Sequence, residues 1–471
     1  ALLASPGLRD SVNVALDPGT SRGNVAAQVM LDMPIGKNAP DNATNYVVTA
    51  DLTNFGADNL MMGQKVEASA LRVSASNDGY QVTGDIKLNG TPAAINLSKK
   101  KGTTESDLRL QANIDETARR RLGIDFGGAV AGTIPVKVSA KLSDDGKDPP
   151  MSVEADLTPV KIDNLLPGWV KPAGRPAHAT YTLTKTPQAT HIDDLVIAGS
   201  GANVRGSVEL DGSGDIIAAN FPTFSLSEGD KATLKAERAN DGLLHVTMRG
   251  DVFDGTKFVK SSLAGGAADK SKQKQTDLEL DIKLGTVIGN NGETLRGLDF
   301  KLTRRGGHIR AFNLNAKIGR DAPLNGDLRV RSRDNHQVVY FETSDAGALF
   351  RFTDMYPRMF GGRMWVAMDP PTPDHAPQVG TLSIRNFVVR GEPGLERVVS
   401  GAPGQASGGV QFTEMHCEFT RVPGRMAVRD GIVRGPAVGV TIEGHSEHLK
   451  DDVHLRGTFV PFYGLNNMFW Q

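Results

Sequence analysis

The stretch Val82-Thr83-Gly84-Asp85-Ile86 decides the fold of this chain, because it alternates apolar and polar residues around a central glycine. Side chains alternate between the two faces of a strand, so Val82, Gly84 and Ile86 share one face. The same phrase of apolar residue, glycine and apolar residue returns at 204–208, 248–252, 324–328 and 455–459. It predicts strands with one apolar face, on which glycine lets the sheet curve or lets another group approach the backbone.

Alternating runs of this kind continue along most of the chain, and turn signals such as Asn89-Gly90 separate them. The glycines of the five phrases are unequally spaced, which argues against a solenoid of fixed period. No long helix interrupts the strands, which argues against a dinucleotide or phosphate enzyme built from alternating strands and helices. The sequence therefore predicts an all-β dominated fold with mainly antiparallel strands.

Three short helices are predicted where the alternation fails, at 115–122, 345–356 and 394–400. Asp115 is a plausible N-cap for the first of them, and its Arg119, Arg120 and Arg121 are expected to form a solvated face. The phosphate-binding alternative for these arginines has less support.

Composition limits the function classes. The 53 basic and 54 acidic residues nearly cancel, so nucleic acid is not an expected partner. Cys417 is the only cysteine, which excludes an intramolecular disulfide. The chain has no run of about 18 apolar residues and begins at Ala1 without a signal-like segment, so we expect an excised portion of a longer protein.

At 471 residues, the chain is too long for one ordinary core. The composition of 261–275, rich in glycine, lysine and serine, predicts a flexible loop or linker. We divide the rest into an N-terminal β segment at 1–158, a central β segment at 159–260 and a C-terminal β segment at 276–471.

The candidate catalytic and metal-binding patterns are weak. Gly199-Ser200-Gly201 lies between two strands and not between a strand and a helix, so it is interpreted as a hairpin turn. His416 and Cys417 are adjacent in a strand and point to opposite faces, so they cannot act as one site. The polar segment 444–452, with two histidines, is interpreted as an exposed loop. We therefore expect no enzyme, no cofactor and no metal site. A hydrolase would need paired carboxylates in a cleft, and the sequence does not show which could converge.

Three stretches resemble the AsmA-like envelope proteins of Gram-negative bacteria, particularly the YhdP-type members. They are the C-terminal phrase 455–467, the segment from Asp345 to Gly362, and the strand 202–211. The resemblance covers most of the chain and is strongest after about residue 190. The order of the three stretches along the chain carries the resemblance.

The resemblance implies a periplasmic protein anchored to the inner membrane by an N-terminal helix outside this sequence. It also implies a long, twisted sheet curled into an open hydrophobic groove that conducts phospholipid between the inner and outer membranes. The expected partners are phospholipid acyl chains, both membranes through regions outside this chain, and envelope proteins at its ends. The expected lipid-lining residues are Val82, Gly84, Ile86, Val204, Gly206, Val208, Met248, Gly250, Leu324, Gly326, Leu328, Leu455, Gly457 and Phe459.

A structural protein of the cell envelope is the alternative. In that case two apolar sheet faces pack on each other as a sandwich, and the glycines only relieve crowding. Geometry separates the two hypotheses, because a sandwich pairs its apolar faces at about 10 Å and a conduit leaves a groove open.

Overall fold

The fold is described from a computed structural model, in which strand accounts for 69% of the described residues and helix for 7%. The described residues are 20–32, 45–61, 64–124, 126–143, 148–166, 168–263, 277–331, 336–372, 374, 376–399, 408–447 and 452–461. The all-β fold with a long, mainly antiparallel sheet and a few short helices is confirmed. Contacts between residues divide the chain into two compact units.

The N-terminal unit comprises residues 1–162, 171–200 and 205–215. Its strands, together with short strands at the boundary, are β1 (Ser21–Asp32), β2 (Asn45–Met61), β3 (Gln64–Ser76), β4 (Gly79–Leu88), β5 (Thr91–Lys100), β6 (Glu105–Ile114), β7 (Val130–Ala131), β8 (Ile134–Ser143), β9 (Met151–Asp156), β10 (Lys161–Asp163), β11 (Val170–Lys171), β12 (Ala177–Lys185), β13 (Ala189–Gly199) and β14 (Ala202–Asp211).

The strands of this unit form an antiparallel meander. From β1 to β6 each strand pairs with the next, and β6, β8, β9, β12 and β13 continue the series. The predicted Asn89-Gly90 turn is confirmed: Leu88 pairs with Thr91, and both turn residues have positive φ values of 47° and 79°. Asparagine and glycine are the residues that tolerate this backbone, so the local sequence sets the hairpin.

The C-terminal unit comprises residues 163–170, 201–204 and 216–471. Its strands are β15 (Ile216–Ser225), β16 (Lys231–Arg238), β17 (Leu244–Asp254), β18 (Leu278–Ile288), β19 (Thr294–Arg305), β20 (His308–Ile318), β21 (Ala322–Arg331), β22 (His336–Thr343), β23 (Met359–Met368), β24 (Gln378–Val389), β25 (Val410–Val422), β26 (Arg425–Arg434), β27 (Val438–Glu447), β28 (Asp452–Arg456) and β29 (Phe459–Pro461).

One pair of strands in this unit is an exception within the mainly antiparallel sheet. β17 and β18 are parallel, with Leu244 opposite Leu278 and Asp254 opposite Ile288. Parallel neighbours need a crossover connection, and the residues between these strands include a helix. The other strand pairs described in this unit are antiparallel.

The α-helices in the described part of the chain are α1 (Glu116–Arg121), α2 (Thr256–Leu263), α3 (Ala346–Phe352) and α4 (Pro393–Val399). The three predicted helices are confirmed as α1, α3 and α4. Asp115 and Asp345 are side-chain caps, accepting hydrogen bonds from the amides of Ala118 (2.7 Å) and Ala348 (3.0 Å). The helix α2 was not predicted, and its last three residues overlap the predicted linker. The remainder of that linker lies outside the described residues.

Each unit has its own buried apolar cluster. In the N-terminal unit, Val66, Ile86, Leu108 and their neighbours on β3 to β8 are at most 8% exposed. In the C-terminal unit, α3 packs onto the sheet and helps to bury Met364 and Ile384. Part of the apolar face of the sheet in this unit is therefore closed by a helix.

Candidate functional site

An unbroken row of apolar residues crosses ten neighbouring strands of the N-terminal unit. Each residue of this row is the direct register partner of the next, so all ten side chains lie on one face of the sheet. The N-terminal row consists of Ala27, Ala50, Val73, Val82, Leu97, Leu108, Ala140, Met151, Leu183 and Ile192. Strands are about 4.8 Å apart, so this row extends for about 43 Å.

The opposite face of the same strands is polar. Arg72 and Asp51 form an ion pair at 3.0 Å across β3 and β2, and Gln81 donates a hydrogen bond to Asn96 across β4 and β5. Along each strand, the residues of these two pairs alternate with members of the N-terminal row. The division into one apolar and one polar face follows directly from the period of two in the sequence.

A second row crosses eleven strands of the C-terminal unit. Its members are also direct register partners, and none of them is polar or charged. The C-terminal row consists of Phe221, Leu234, Met248, Ile282, Phe300, Leu314, Gly326, Phe341, Val366, Leu382 and Cys417. Most of its central residues are only partly buried, whereas Phe221, Met248 and Cys417 are at most 7% exposed.

The predicted lining residues fall into several environments. Val82 belongs to the N-terminal row, and Met248 and Gly326 belong to the C-terminal row. Ile86, Val204 and Leu324 are buried, at 3%, 0% and 3% exposure. Val208, Gly84, Gly206, Gly250, Leu328 and Phe459 are partly buried, whereas Leu455 and Gly457 are exposed. Whether any of them contacts lipid stays a prediction.

The space beside four of the five glycines in the repeated phrase is occupied by neighbouring strands, and a β-carbon on Gly457 would overlap the carbonyl oxygen of Thr441. A β-carbon on Gly84 would lie 2.8 Å from the carbonyl oxygen of Ala70, and one on Gly250 would lie 2.8 Å from the α-carbon of Ala232. At Gly326 the neighbours are side chains, because the added atom would meet the rings of Phe312 and Phe341 at 2.9 Å. These glycines therefore serve close contacts within the sheet.

Two concave regions border polar side chains that the sequence analysis did not connect. The first has a volume of about 950 Å³ and is lined by residues of six neighbouring strands, including Asp85, Gln111, Lys137, Glu154 and His178. Residues of the apolar face line it as well, among them the predicted lining residue Ile86 and its neighbours Ala112 and Val136. The register of strands that are distant in sequence brings the five polar residues together. No local sequence motif indicates this arrangement.

The second concave region, of about 680 Å³, lies across β26, β27 and β28. His445 and His454 face each other there, with ring centres 5.3 Å apart. The interpretation of 444–452 as an exposed loop is wrong for its first four residues and for Asp452, which belong to β27 and β28. Residues 448–451 lie outside the described part. Arg456 pairs with Glu443 at 3.2 Å, so charges of both signs line this region.

The structure also shows the environments of four other candidate residues. Cys417 is buried, which raises the pKa of its thiol to about 11, and His416 on the opposite face is exposed. The expectation of a solvated Arg119 is wrong, because its side chain is 3% exposed and donates hydrogen bonds to the carbonyl oxygens of Val130 and Gly132, both at 2.9 Å. The neighbouring Arg120 is exposed as expected and pairs with Glu116.

The described residues contain no cluster of three or more histidine, cysteine or carboxylate side chains arranged to hold a metal ion. Within the same residues, no helix has both the length and the apolar character needed to cross a bilayer. No protein-family model matches the chain, and no curated protein or solved structure shows significant similarity to it.

Proposed function

We propose that this chain binds phospholipid by its acyl chains and is a non-enzymatic segment of a lipid-transport bridge between the inner and outer membranes of a Gram-negative cell envelope. The observation that carries the proposal is the pair of unbroken apolar rows. A globular core needs a compact apolar cluster. Each of these rows instead continues from strand to strand across its unit, and no polar residue interrupts it.

The length and chemistry of the rows suit an acyl chain. One leaflet contributes about half of the roughly 30 Å hydrocarbon core of a bilayer, so a row of about 43 Å exceeds the depth of a single leaflet. Burial of each methylene group against apolar side chains stabilises the complex by about 0.8 kcal/mol. Contacts of several methylene groups with each strand residue of the row therefore suffice to hold the acyl chain without a specific polar site. The head group of the phospholipid stays in water at an open edge.

The resemblance to AsmA-like envelope proteins supports the same proposal. From this resemblance we also propose a periplasmic location, an inner-membrane anchor outside this chain and envelope proteins as partners at its ends. The lining residues proposed from the glycine phrases extend along the rows to their partly buried register partners, such as Val73 for Val82 and Phe341 for Gly326.

The structural alternative has one observation in its favour. Ala346 in α3 is completely buried together with Ile384, and Met359, Met364 and Phe387 are at most 4% exposed around them. A closed core of this kind is what a scaffold protein requires. The two hypotheses differ in whether the partly exposed residues, such as Leu314 and Leu382, contact lipid or opposing protein.

Photo-crosslinking from paired positions tests the proposal. A photoreactive amino acid is placed at Val138 or Leu382 on the apolar face, and at the adjacent Lys137 or Thr381 on the polar face, in the full chain produced in a Gram-negative periplasm. Phospholipid adducts are expected by mass spectrometry at the two apolar positions and not at the two polar ones. Absence of adducts from all four positions, with crosslinks to protein at Val138 and Leu382, would establish the scaffold alternative.

A further inference from the structure

Two phenylalanine rings lie over Gly326 in the C-terminal row. Gly326 contributes no side chain, yet the space above it is filled. Phe341 is its direct partner on β22, and Phe312 lies two residues from its partner Leu314 on β20. Diagonal neighbours in a sheet are within reach of aromatic side chains, which explains how both rings meet over one residue.

The two rings belong to a short aromatic ladder. The centroids of Phe312 and Phe341 are 5.2 Å apart with an interplanar angle of 79°, and those of Phe300 and Phe312 are 5.8 Å apart at 77°. Both are edge-to-face contacts, the arrangement that the charge distribution of aromatic rings favours. All three side chains are partly exposed on the apolar face, so the ladder is at the surface of the row and not inside a closed core.

The aromatic ladder divides the C-terminal row into two parts, one on each side of the ladder. An acyl chain that follows the row from Leu314 to Val366 crosses the position of Gly326, where the backbone offers clearance but the rings of Phe312 and Phe341 occupy it. Neither ring is held by a hydrogen bond, and rotation about the side-chain torsions moves a ring without breaking the strand pairing.

On this basis, and resting on the proposed function, we propose that Phe312 and Phe341 form an aromatic gate over Gly326, which an acyl chain must displace to occupy this part of the row. Gly326 is the positioning element of the gate, because any larger residue there would hold the rings apart. The gate thus limits lipid occupancy at Leu314 and does not create the affinity for lipid.

The experiment measures phospholipid adducts from a photoreactive residue at Leu314 in four backgrounds of the full chain: unchanged, Phe312→Ala, Phe341→Ala and Tyr340→Ala. Tyr340 is the matched control, since it neighbours Phe341 in sequence and packs against Trp365 on the polar face. Loss of one edge-to-face contact corresponds to a roughly two- to tenfold change in an equilibrium, so adduct yield should rise by about that factor in both phenylalanine variants and stay constant in Tyr340→Ala.

Variants with leucine at 312 and 341 keep apolar volume without a ring, and they replace the alanine variants if circular dichroism shows that those do not fold. Unchanged or reduced adduct yield in the phenylalanine variants, with adducts still present at Leu382 and Val138, would overturn the gate and leave the proposed function intact. Absence of adducts from all three apolar positions would overturn both.

Discussion

Arg351 and Glu293 form an enclosed ion pair that links α3 to the connection between β18 and β19. Nη2 of Arg351 lies 2.7 Å from the carboxylate, and the two side chains are only 15% and 17% exposed. Arg351 also donates a hydrogen bond of 2.6 Å to the carbonyl oxygen of Met359, and its guanidinium lies 4.6 Å from the ring centre of Phe360. One side chain thus holds α3 against two other segments of its unit.

Replacement of Arg351 by alanine should destabilise the C-terminal unit by about 2–4 kcal/mol, because Glu293 would keep a largely buried charge without its partner. The measurement is urea unfolding followed by circular dichroism. Arg456→Ala is the control: its pair with Glu443 is 86% and 51% exposed, so its loss should change stability by less than about 1 kcal/mol. Equal effects of the two substitutions would contradict this interpretation of burial.

Arg119 and Arg120 provide an adjacent pair for a second prediction. Arg119→Ala leaves the carbonyl oxygens of Val130 and Gly132 without charged donors, so it should lower the free energy of unfolding of the N-terminal unit by about 2–4 kcal/mol. Arg120→Ala removes only the exposed pair with Glu116, worth about 0.3–0.5 kcal/mol. Denaturant unfolding distinguishes the two, and a small effect at both positions would show that Arg119 does not stabilise this region.

Gly84 should be intolerant of alanine. Its φ of +152° is rare for residues with side chains, and the added methyl group would press on the carbonyl oxygen of Ala70. Strain of this kind costs about 1–3 kcal/mol. Gly212→Ala, where no atom lies within 4 Å of the added group, should leave the melting temperature unchanged or raise it slightly. A melting temperature of Gly84→Ala equal to that of the unchanged protein would show that the sheet relaxes freely there.

Cys417 makes stability depend on alkaline pH. Burial raises the pKa of its thiol from 9.0 to about 11, so the folded state resists ionisation. The resulting stabilisation is fully present below pH 9, where both states keep the proton, and it is lost as the pH rises toward 11 because the unfolded state ionises first. Cys417→Ser should show a weaker fall in unfolding free energy between pH 9 and 11 than the unchanged protein. An identical fall in both would exclude the thiol as its source.

Sequence period was sufficient to predict the strands and their two faces, because alternation is local and apolar residues must leave water. The helix α1 was also predictable from its N-cap Asp115, and α3 was predictable from the failure of alternation at 345–356. α2 was missed because Phe258 and Val259 lie between two lysines in a pattern that resembles a strand segment. The signal that could have found it is Asp254, whose side chain accepts hydrogen bonds from the amide and hydroxyl of Thr256.

The apolar rows could not be predicted in the same way. A row depends on the register of each strand with its neighbour, and register depends on turns and on bulges such as the one between Lys231 and Ala232. The rings over Gly326 follow from that register too. The sequence therefore indicated that glycine provides clearance, but it did not indicate which groups occupy that space. The burial of Arg119 was not predicted because its hydrogen-bond acceptors are 11 and 13 residues away in the sequence.

The parallel pairing of β17 and β18 has a consequence for the order of assembly. Each antiparallel pair between consecutive strands can close soon after its second strand leaves the ribosome, since the joining turn keeps the partners near each other. β18 must instead wait for the whole crossover that includes α2 before it meets β17. Until that crossover is complete, the edge of β17 that receives β18 is exposed to incorrect partners.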